Sequence, residues 1–322
     1  MTEYLLQLRK EVESHIDHLA LPKEPANLYE PMHYLLGLGG KRIRPILTLM
    51  AAELMGAKPL EAMPQALAVE IFHNFTLMHD DIMDSADVRR GLPTVHKKWD
   101  HNIALLSGDG MLVIAYQYLI QADASLLGPL AKEFNTTALE VCEGQQLDMD
   151  YALRDDVSEE AYMAMIRLKT AVLLGGAMKL GAIVAGASEA QQEELDRFAV
   201  NLGLAFQIRD DYLDAFGSEA FGKKIGGDIL EGKRTWLTIR AFEKANDEQR
   251  QALTHAYQQL EGDERISEVL RLYEELDIRI EADQKIKQFS SISTEALQKV
   301  NGKPEILREL EALVDYLMGR DQ

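Results

Sequence analysis

Apolar residues recur at three- and four-residue spacing along nearly the whole chain, which is the period of an α-helix packed on a core. Clusters of glycine, proline and charged residues separate these segments, as in short loops between long helices. No segment shows sustained strand alternation. The pattern predicts an all-α fold with helices over residues 3–19, 45–56, 64–88, 100–121, 128–151, 158–186, 189–215, 233–244, 247–261, 263–287 and 292–318.

The segment AVLLGGAMKLGAIVAGA is apolar on all sides and rich in small residues, which is typical of a central helix in a large bundle. The length of 322 residues alone would favour about two domains. However, no linker, low-complexity tract or short-period repeat interrupts the helical pattern. We therefore predict a single large helical bundle, one all-α domain over residues 1–322.

Composition narrows the class of protein and its partners. The net charge of −19 argues against a nucleic-acid partner, although local lysine and arginine clusters still allow an anionic substrate. The single cysteine, Cys142, excludes an intrachain disulfide and is typical of a reducing cytoplasm. The first 20 residues read as an amphipathic helix rather than a signal peptide, and no apolar run reaches about 18 residues. We expect a cytoplasmic protein without a transmembrane segment.

Two clusters of three aspartates share one spacing, and at that spacing the carboxylates of a helix lie on one face and repel. Both clusters follow apolar helix and precede glycine, so we expect them at C-terminal helix ends, where the helix dipole disfavours anions. A single cluster is explained equally well as a solvated acidic face, but two favour a bound cation. Oxygen donors without cysteine or paired histidine select Mg²⁺ over zinc. The clusters are Asp80, Asp81 and Asp84, and Asp210, Asp211 and Asp214.

Arginines follow the first cluster directly. Mg²⁺ in proteins usually bridges a few carboxylates to substrate phosphates. Arg89 and Arg90 are suited to bind the same phosphates, and we expect Gly91 and Pro93 to end the helix so that both arginines turn inward. This stretch therefore predicts an Mg²⁺–diphosphate site.

Further basic residues lie near both clusters. The glycine-rich turn GLGGKRIRP carries Lys41, Arg42 and Arg44 into a helix and suits an anion held by backbone N–H groups and cations. Lys169, beside Thr170, would by itself read as a snorkelling surface lysine. Two acid clusters with two basic groups favour a site for two phosphorylated substrates. Just beyond the second cluster lie Lys223, Lys224, Lys233 and Arg234.

The motifs GGKRIRP, HDDIMDSADVRRGLPTVH, EGQQLDMD, KTAVLLGG, FQIRDDYLD and GGDILEGKRT occur together in this order over roughly residues 30–240. The chain thereby resembles the trans-prenyltransferases, the isoprenyl (polyprenyl) diphosphate synthase family. The resemblance implies an isoprenoid synthase bundle around a central apolar cavity and a homodimer. It also implies a reaction in which three Mg²⁺ hold an allylic diphosphate, its C–O bond ionises, and isopentenyl diphosphate attacks the cation.

The resemblance also assigns roles to individual residues. Asp80, Asp84 and Asp210 are the implied chief metal ligands, with Asp81, Asp211 and Asp214 acting as bridges or through water. The allylic diphosphate is assigned to Arg89, Lys169 and Lys233, and the isopentenyl diphosphate pocket to Lys41, Arg44, His73 and Arg90. Thr170 and Gln207 are the implied oxygen donors that face the cation, so the expected catalytic set is Lys169, Thr170, Gln207 and Arg89. The resemblance also implies a flexible-loop lysine, which is either Lys223 or Lys224, an acid at Asp148 beside the metal-bound waters, and a closing role for Arg320 over isopentenyl diphosphate.

The resemblance also implies that product length depends on side chains one to two turns before the first aspartate cluster. The resemblance makes Phe72, Phe75 and Thr76 the floor of the chain-binding cavity. On a helical wheel Thr76 lies about 40° from Asp80 and Phe75 about 140° away, so the role of Phe75 comes from the resemblance alone. One aromatic at Phe75 resembles the C20 pattern, and we favour C20 over C15. Tyr116 and Tyr118 are either a second plug or, as we favour, core aromatics.

Three other readings compete with a chain-elongating synthase. A class I terpene cyclase shares DDxxD, but its second metal motif differs from the DDYLD found here, and it has no need of GGKRIRP. A non-catalytic partner subunit of another prenyl synthase would typically lack one aspartate motif, whereas both are intact. An acidic helical scaffold leaves the paired clusters unexplained.

Overall fold

The computed structural model describes residues 1–154, 156–217 and 226–319, and these are helical with one short hairpin. The prediction of an all-α fold is confirmed. The first helices are α1 Glu3–Asp17, α2 Ala26–Gly37, α3 Ile43–Leu54, α4 Met63–Met83, α5 Val95–Lys98, α6 His101–Leu119, α7 Leu127–Ala152 and α8 Glu159–Ile166. They are followed by α9 Val172–Val184, α10 Glu189–Phe216, α11 Gly227–Glu231, α12 Trp236–Lys244, α13 Asp247–Gln259, α14 Gly262–Glu275, α15 Ile278–Lys299 and α16 Pro304–Met318. The strands are β1 Val88–Arg89 and β2 Leu92–Pro93, paired antiparallel.

The helix predicted over 64–88 ends earlier than expected. α4 stops at Met83, and Asp84 is its C-cap. The chain then forms the β1–β2 hairpin, whose two turn residues, Arg90 and Gly91, have φ of 54° and 79°. Two successive positive φ values are those of a type I′ turn, which matches the twist of a hairpin. The expectation that Gly91 and Pro93 end the helix is therefore wrong, and both arginines lie on the hairpin.

Other boundaries also differ from the prediction. α2 was missed because its sequence contains Pro31 and follows a proline-rich segment that reads as loop. The predicted break at 288–291 is wrong, since α15 crosses it. The breaks lie instead at Asp277, whose φ is 56°, and between α15 and α16. Positive φ is uncommon for residues other than glycine, although aspartate adopts it more readily than most, and no glycine or proline marks a turn at this position in the sequence.

The chain forms two compact units. The first unit comprises Met1–Thr136, Gly176–Leu195 and Val300–Ala312. The second comprises Thr137–Gly175, Asp196–Lys299 and Leu313–Gln322. The single-domain assignment stays a prediction. Each unit contains one aspartate cluster and is described by itself below.

In the first unit, α4 packs along α6 and also touches α2 and α3. Two glycines of α6 allow its close approach, Gly108 to α4 and Gly110 to α2. A Cβ on Gly108 would lie 2.2 Å from His79 Nε2, and one on Gly110 would lie 2.6 Å from the Met32 methyl group. Helix α4 is mostly buried, so its packing fixes the end that carries the first aspartate cluster.

The core of the second unit is formed by α8, α10 and α12–α15, with Trp236 and Tyr273 among its largest buried side chains. Helix α10 passes close to the turn before α9, because a Cβ on Gly203 would lie 3.0 Å from the backbone of Ala171. The C-terminal end of α10, which carries the second cluster, is thereby held against this core.

Between α8 and α9, residues Arg167–Ala171 form a π-helical turn inside one long apolar segment. Within the described residues, Glu159–Val184 is the segment long and apolar enough to cross a membrane, and 61% of its most apolar window is buried. Burial of this kind is typical of a core helix in a soluble protein, and a single such segment is weak support for a membrane span.

Candidate active site

The first aspartate cluster lies at the C-terminal end of α4, as predicted. Asp80 is half-buried in the last turn, Asp81 is 2% exposed, and Asp84 is exposed at the C-cap. The dipole of α4 is unfavourable to all three carboxylates. A cation or a donor from elsewhere in the chain must therefore offset their charge.

Arg89 supplies that charge to the buried member of the cluster. Its Nε donates to Asp81 Oδ1 at 3.0 Å and to Oδ2 at 2.8 Å, and its Nη2 donates to Oδ1 at 2.8 Å. The hairpin brings Arg89 back to the helix that it follows. A forked guanidinium–carboxylate pair of this kind is among the stronger hydrogen-bonded contacts in proteins. Asp81 therefore anchors Arg89, and the oxygens of Asp80 and Asp84 are the more accessible ones of the cluster.

The glycine-rich turn before α3 contains an ion pair that the sequence did not reveal. Arg42, at φ 54°, is the N-cap of α3 and turns inward to pair with the buried carboxylate of Glu70. Arg42 Nη2 also donates to the Leu36 carbonyl at 2.6 Å, and Asn74 Nδ2 donates to Glu70 Oε1 at 3.2 Å. Arg42 therefore shapes the turn from within.

Arg44, the next arginine, lies in the first turn of α3 and contacts His73 of α4. Arg44 Nη1 lies 3.2 Å from His73 Nε2. Burial and then the charges of Arg44, Arg90 and Arg89 hold the pKa of His73 well below its usual range. His73 is therefore neutral and accepts the hydrogen bond from Arg44.

Arg90 completes this basic group. Its guanidinium lies against the turn at Gly40, where a Cβ would come within 3.0 Å of Nη2. Gly40 has a φ of 148°, so a side chain there would also strain the backbone. Lys41 follows it and is exposed. The structure therefore brings Arg44 to His73 and Arg90 to the turn that carries Lys41, which is the set assigned to the isopentenyl diphosphate pocket.

Aromatic rings form a continuous row before the first cluster. Phe75 packs edge-on against His79, with ring centroids 4.7 Å apart, and lies 5.5 Å from Phe72. Phe72 in turn packs against Phe134 at 5.3 Å, and Tyr116 contacts the same Phe134 ring at 5.0 Å. Phe72 is fully buried, whereas Phe75 and Thr76 are half-buried. Thr76 Oγ1 donates to the His73 carbonyl at 2.8 Å.

The second cluster lies at the end of α10, as predicted, and Asp211 is its buried member. Tyr162 OH donates to Asp211 Oδ2 at 3.0 Å, and the Trp236 backbone N–H donates to the same oxygen at 3.1 Å. Burial raises the pKa of Asp211 to about 7, although the nearby Lys233 charge and both hydrogen bonds act in the opposite direction. Asp211 thus ties α8 and the start of α12 to α10.

The other two aspartates of this cluster differ in exposure. Asp214 Oδ2 accepts from the Asp228 backbone N–H at 2.9 Å and so holds the start of α11, whereas Asp210 is exposed. Lys233 Nζ lies 3.4 Å from Asp228 Oδ1. Burial acts to lower the pKa of Lys233, but the charges of Asp228, Asp211 and Asp210 outweigh it and raise that pKa. Lys233 thus lies in the negative field of the second cluster.

Lys169 and Thr170 lie in the π-helical turn. Lys169 Nζ donates to Asp148 Oδ2 of α7 at 2.5 Å. The π-helical turn packs directly against Gly144 of α7. Only glycine leaves room for it, because a Cβ at position 144 would lie 2.1 Å from the Lys169 nitrogen. π-turns are rare and often occur at functional sites. Thr170 and Gln207 are half-buried. Lys223, Lys224 and Arg320 lie outside the described residues.

Three partners of the predicted site residues were not singled out from the sequence: Glu70 in the first unit, and Tyr162 and Asp228 in the second. Glu70 and Tyr162 lie in apolar helices without any spacing that marks them. Asp228 was visible in the GGD motif, directly before the basic residues, and that motif was the available signal.

Within the described residues, no group of three or more histidine, cysteine or acidic side chains is arranged to hold a metal ion by itself. The accessible donors of both clusters are carboxylate oxygens, which suit Mg²⁺ rather than zinc or copper. Mg²⁺ is usually bound by one or two carboxylates together with substrate phosphates. The donor set fits a metal ion that binds with its substrate.

The family model for polyprenyl synthetase matches residues 25–276. The chain belongs to the polyprenyl synthetase family. Geranylgeranyl diphosphate synthase of Methanosarcina mazei is 42% identical over 236 residues, covering 72% of this chain and 73% of that protein. Geranylgeranyl pyrophosphate synthase of Geoglobus acetivorans is 34% identical over 324 residues, covering 100% of this chain and 99% of that protein.

A crystal structure of a geranylgeranyl pyrophosphate synthase superposes with a TM-score of 0.92 at 44% identity, covering 100% of both chains. This polyprenyl synthetase is thus a prenyltransferase with the all-helical isoprenoid synthase fold, as the sequence predicted. The family is Mg²⁺-dependent and uses isopentenyl and allylic diphosphates.

Proposed function

We propose that this enzyme joins isopentenyl diphosphate to an allylic diphosphate (dimethylallyl, geranyl or farnesyl) and makes chiefly geranylgeranyl diphosphate, the C20 product. The proposal rests on one observation at the end of α4. The Asp81–Arg89 pair there lies close in sequence to the Phe72–Phe75 ring pair. The names of the two relatives and of the superposed crystal structure support the C20 product. A half-buried Phe75 is accessible enough to contact a growing chain.

Asp80, Asp84 and Asp210 would hold Mg²⁺, with Asp81, Asp211 and Asp214 supporting them, and we propose three ions per active site. When bound, Mg²⁺ supplies positive charge that stabilises the departing diphosphate. The hydrogen bonds of the buried Asp81 and Asp211 fix the ends of α4 and α10, so the accessible aspartates need little reorganisation to bind.

Arg89, Lys169 and Lys233 bind the allylic diphosphate and compensate the charge that grows on it as the C–O bond breaks. Lys169 is held by Asp148 and Lys233 by Asp228, so both cations are positioned before the substrate arrives. Thr170 and Gln207 face the allylic cation with their oxygens, and Lys223 or Lys224 adds a further contact to the diphosphate. The released diphosphate then takes the proton lost by the intermediate.

Lys41, Arg44, His73 and Arg90 bind isopentenyl diphosphate. A neutral His73 aligns Arg44 without adding charge of its own, because burial and the neighbouring arginines lower its pKa and keep it deprotonated. The two guanidinium groups are suited to bidentate phosphate contacts.

We also propose that the enzyme is a cytoplasmic homodimer. Leu106 and Val113 of α6 and its C-cap Ile120 are 61%, 59% and 55% exposed and recur every seven residues, which places them near one face of the helix. Exposed apolar side chains in such a row favour contact with a second copy. Light scattering at micromolar concentration should give twice the chain mass of 36.2 kDa, and a monomer would contradict this assignment.

The decisive experiment incubates the enzyme and Mg²⁺ with isopentenyl diphosphate and either dimethylallyl or farnesyl diphosphate. The products are hydrolysed and separated by chromatography, and we expect geranylgeraniol to dominate. Products of C30 or longer would contradict the chain length, a cyclic hydrocarbon would indicate a terpene cyclase, and no turnover would indicate a non-catalytic subunit. The same incubation with chelator is the control and should give no product.

A further inference from the structure

The second unit contains a pocket of about 430 Å³ whose lining side chains have no part in the proposed reaction. Its walls are two stripes of side chains at helical spacing, one running from the turn before α12 and one along α13. The first stripe is Arg234, Thr238 and Phe242, and the second is Arg250, Thr254, Tyr257 and Gln258.

Two of the lining side chains, Thr238 and Tyr257, belong to a network of hydroxyl groups that also includes the buried Tyr273. Tyr257 OH lies 3.2 Å from Thr238 Oγ1 and 3.0 Å from Tyr273 OH, and Thr238 Oγ1 lies 2.9 Å from Tyr273 OH. Burial raises the pKa of Tyr257, so its phenol is neutral at physiological pH. The network offers hydrogen bonds without repelling an anion.

The charge of the lining is positive in a chain of net charge −19. Among the described residues, the lining includes Arg234 and Arg250 and no aspartate or glutamate. Arg265 adds a third charge nearby, with its Nε and Nη1 donating to the carbonyls of Leu260 at 2.8 Å and Leu230 at 2.9 Å. The charges of Arg265 and Arg234 both act to lower the pKa of Tyr257, against the larger effect of burial.

The remaining surface of the pocket is aromatic. The rings of Phe242 and Tyr257 lie 6.2 Å apart at an angle of 31° and form a wall for a planar or apolar group. Concave pockets with an apolar wall and a few polar groups are typical of small-molecule sites. Paired guanidinium groups are typical of phosphate recognition.

We propose that this pocket binds a phosphorylated organic molecule, with its phosphate on Arg234 and Arg250 and its body against Phe242 and Tyr257. Arg234 directly follows Lys233, whose Nζ lies 3.4 Å from Asp228 Oδ1. A ligand on Arg234 therefore acts one residue away from the lysine assigned to the allylic diphosphate. An effect of this ligand on binding of the allylic diphosphate by Lys233 rests on the proposed function, whereas binding of the ligand to the pocket does not.

The test titrates the full-length protein with phenyl phosphate by calorimetry, in chelator, so that Mg²⁺-dependent substrate binding does not contribute. The group of Lys41, Arg44 and Arg90 can also bind a phosphate without Mg²⁺, so the test rests on the one site that depends on Arg234 and Arg250. Inorganic phosphate should bind that site more weakly because it lacks the ring. Arg234→Gln and Arg250→Gln should each weaken phenyl phosphate about tenfold, which corresponds to one charge-assisted contact. Arg271→Gln is the matched control, since Arg271 is an exposed arginine of α14 paired with Glu268 and Glu275, and it should bind as the wild type does.

Equal affinity in the wild type and both pocket variants would overturn the proposal, as would no measurable binding by the wild type. Arg250 is exposed, so its replacement leaves the fold intact, which an unchanged melting temperature verifies. A crystal soaked with 4-bromophenyl phosphate should show the bromine beside Phe242 and Tyr257, and bromine found only at the aspartate clusters would equally refute the site. These measurements need no turnover, so they test the pocket even if the enzyme does not catalyse the proposed reaction.

Discussion

Arg89 donates three hydrogen bonds of 2.8 to 3.0 Å to the two carboxylate oxygens of Asp81. The two residues are eight apart in sequence, and the β1–β2 hairpin closes the distance between them. The middle aspartate of the first cluster thus holds the arginine in place, while Asp80 and Asp84 on either side of it are the more accessible ligands.

Arg89→Lys should lower kcat/KM for the allylic diphosphate by about 10- to 100-fold, because lysine keeps the charge but loses the forked contact. Steady-state kinetics checks the change. Lys97→Gln is the control, since Lys97 forms an exposed ion pair with Asp87 at 2.9 Å, and its kcat/KM should stay within about twofold of wild type. Wild-type kinetics for Arg89→Lys would show that the fork has no part in catalysis.

Asp80→Ala or Asp210→Ala should reduce kcat by about 10³-fold or more, because each removes an anchor for the metal ions that stabilise the leaving diphosphate. Both variants should keep the wild-type circular dichroism spectrum. Asp283→Ala, which removes an exposed aspartate paired with Lys287, is the matched control and should remain active. Near-normal turnover by either cluster variant at saturating Mg²⁺ would refute the metal assignment.

Phe75→Ala should shift the products to longer chains, because it removes a half-buried ring from the row before the first aspartate cluster. Chromatography of the hydrolysed products gives the distribution. Phe289→Ala is the control, since Phe289 is a half-buried ring of α15 in the second unit, and it should leave the distribution unchanged. An unaltered product distribution for Phe75→Ala would show that Phe75 is not part of the floor of the chain-binding cavity.

Glu70→Leu should destabilise the protein by about 3–5 kcal/mol, because it leaves the buried Arg42 guanidinium without its partner carboxylate. Urea unfolding measures the loss. The double variant Arg42→Met/Glu70→Leu should recover part of it, since the isolated charge is gone. Strict additivity of the two single changes would mean that the buried pair is not coupled.

The raised pKa of Asp211 predicts that the stability of the protein depends on pH in the absence of metal and substrate. Its pKa of about 7 in the folded protein lies above the unfolded value, so folding favours the protonated form. That contribution is fully present below about pH 4 and is lost as the pH rises through 7, by up to about 4 kcal/mol. Asp211→Asn mimics the protonated form, and its free energy of unfolding should exceed that of wild type increasingly from about pH 4.5 to about pH 8.

Asp283→Asn provides the comparison for this measurement. Asp283 is a surface carboxylate, so the same substitution should give a difference from wild type that stays flat over the same pH range. A flat difference for Asp211→Asn as well would show that Asp211 is already ionised throughout this range.

The sequence by itself determined the helical class, the two aspartate clusters at the ends of α4 and α10, and the glycine-rich basic turn before α3. These features are local. Periodicity reports which face of a helix is buried, and residue spacing reports which side chains share that face, whatever the rest of the chain does. The family followed from the motifs because their order and spacing are also properties of the linear chain.

Tertiary structure decided what each charged residue contacts. Arg42 and Arg44 are two residues apart at the start of α3, yet Arg42 pairs with Glu70 and Arg44 contacts His73. Sequence alone could not distinguish these two partners. It also could not show that Asp211 is bound by Tyr162 of another helix. Such partners lie 28 to 49 residues apart. Their pairing is set by how helices pack, because a buried charge must find a partner wherever the fold brings one within reach.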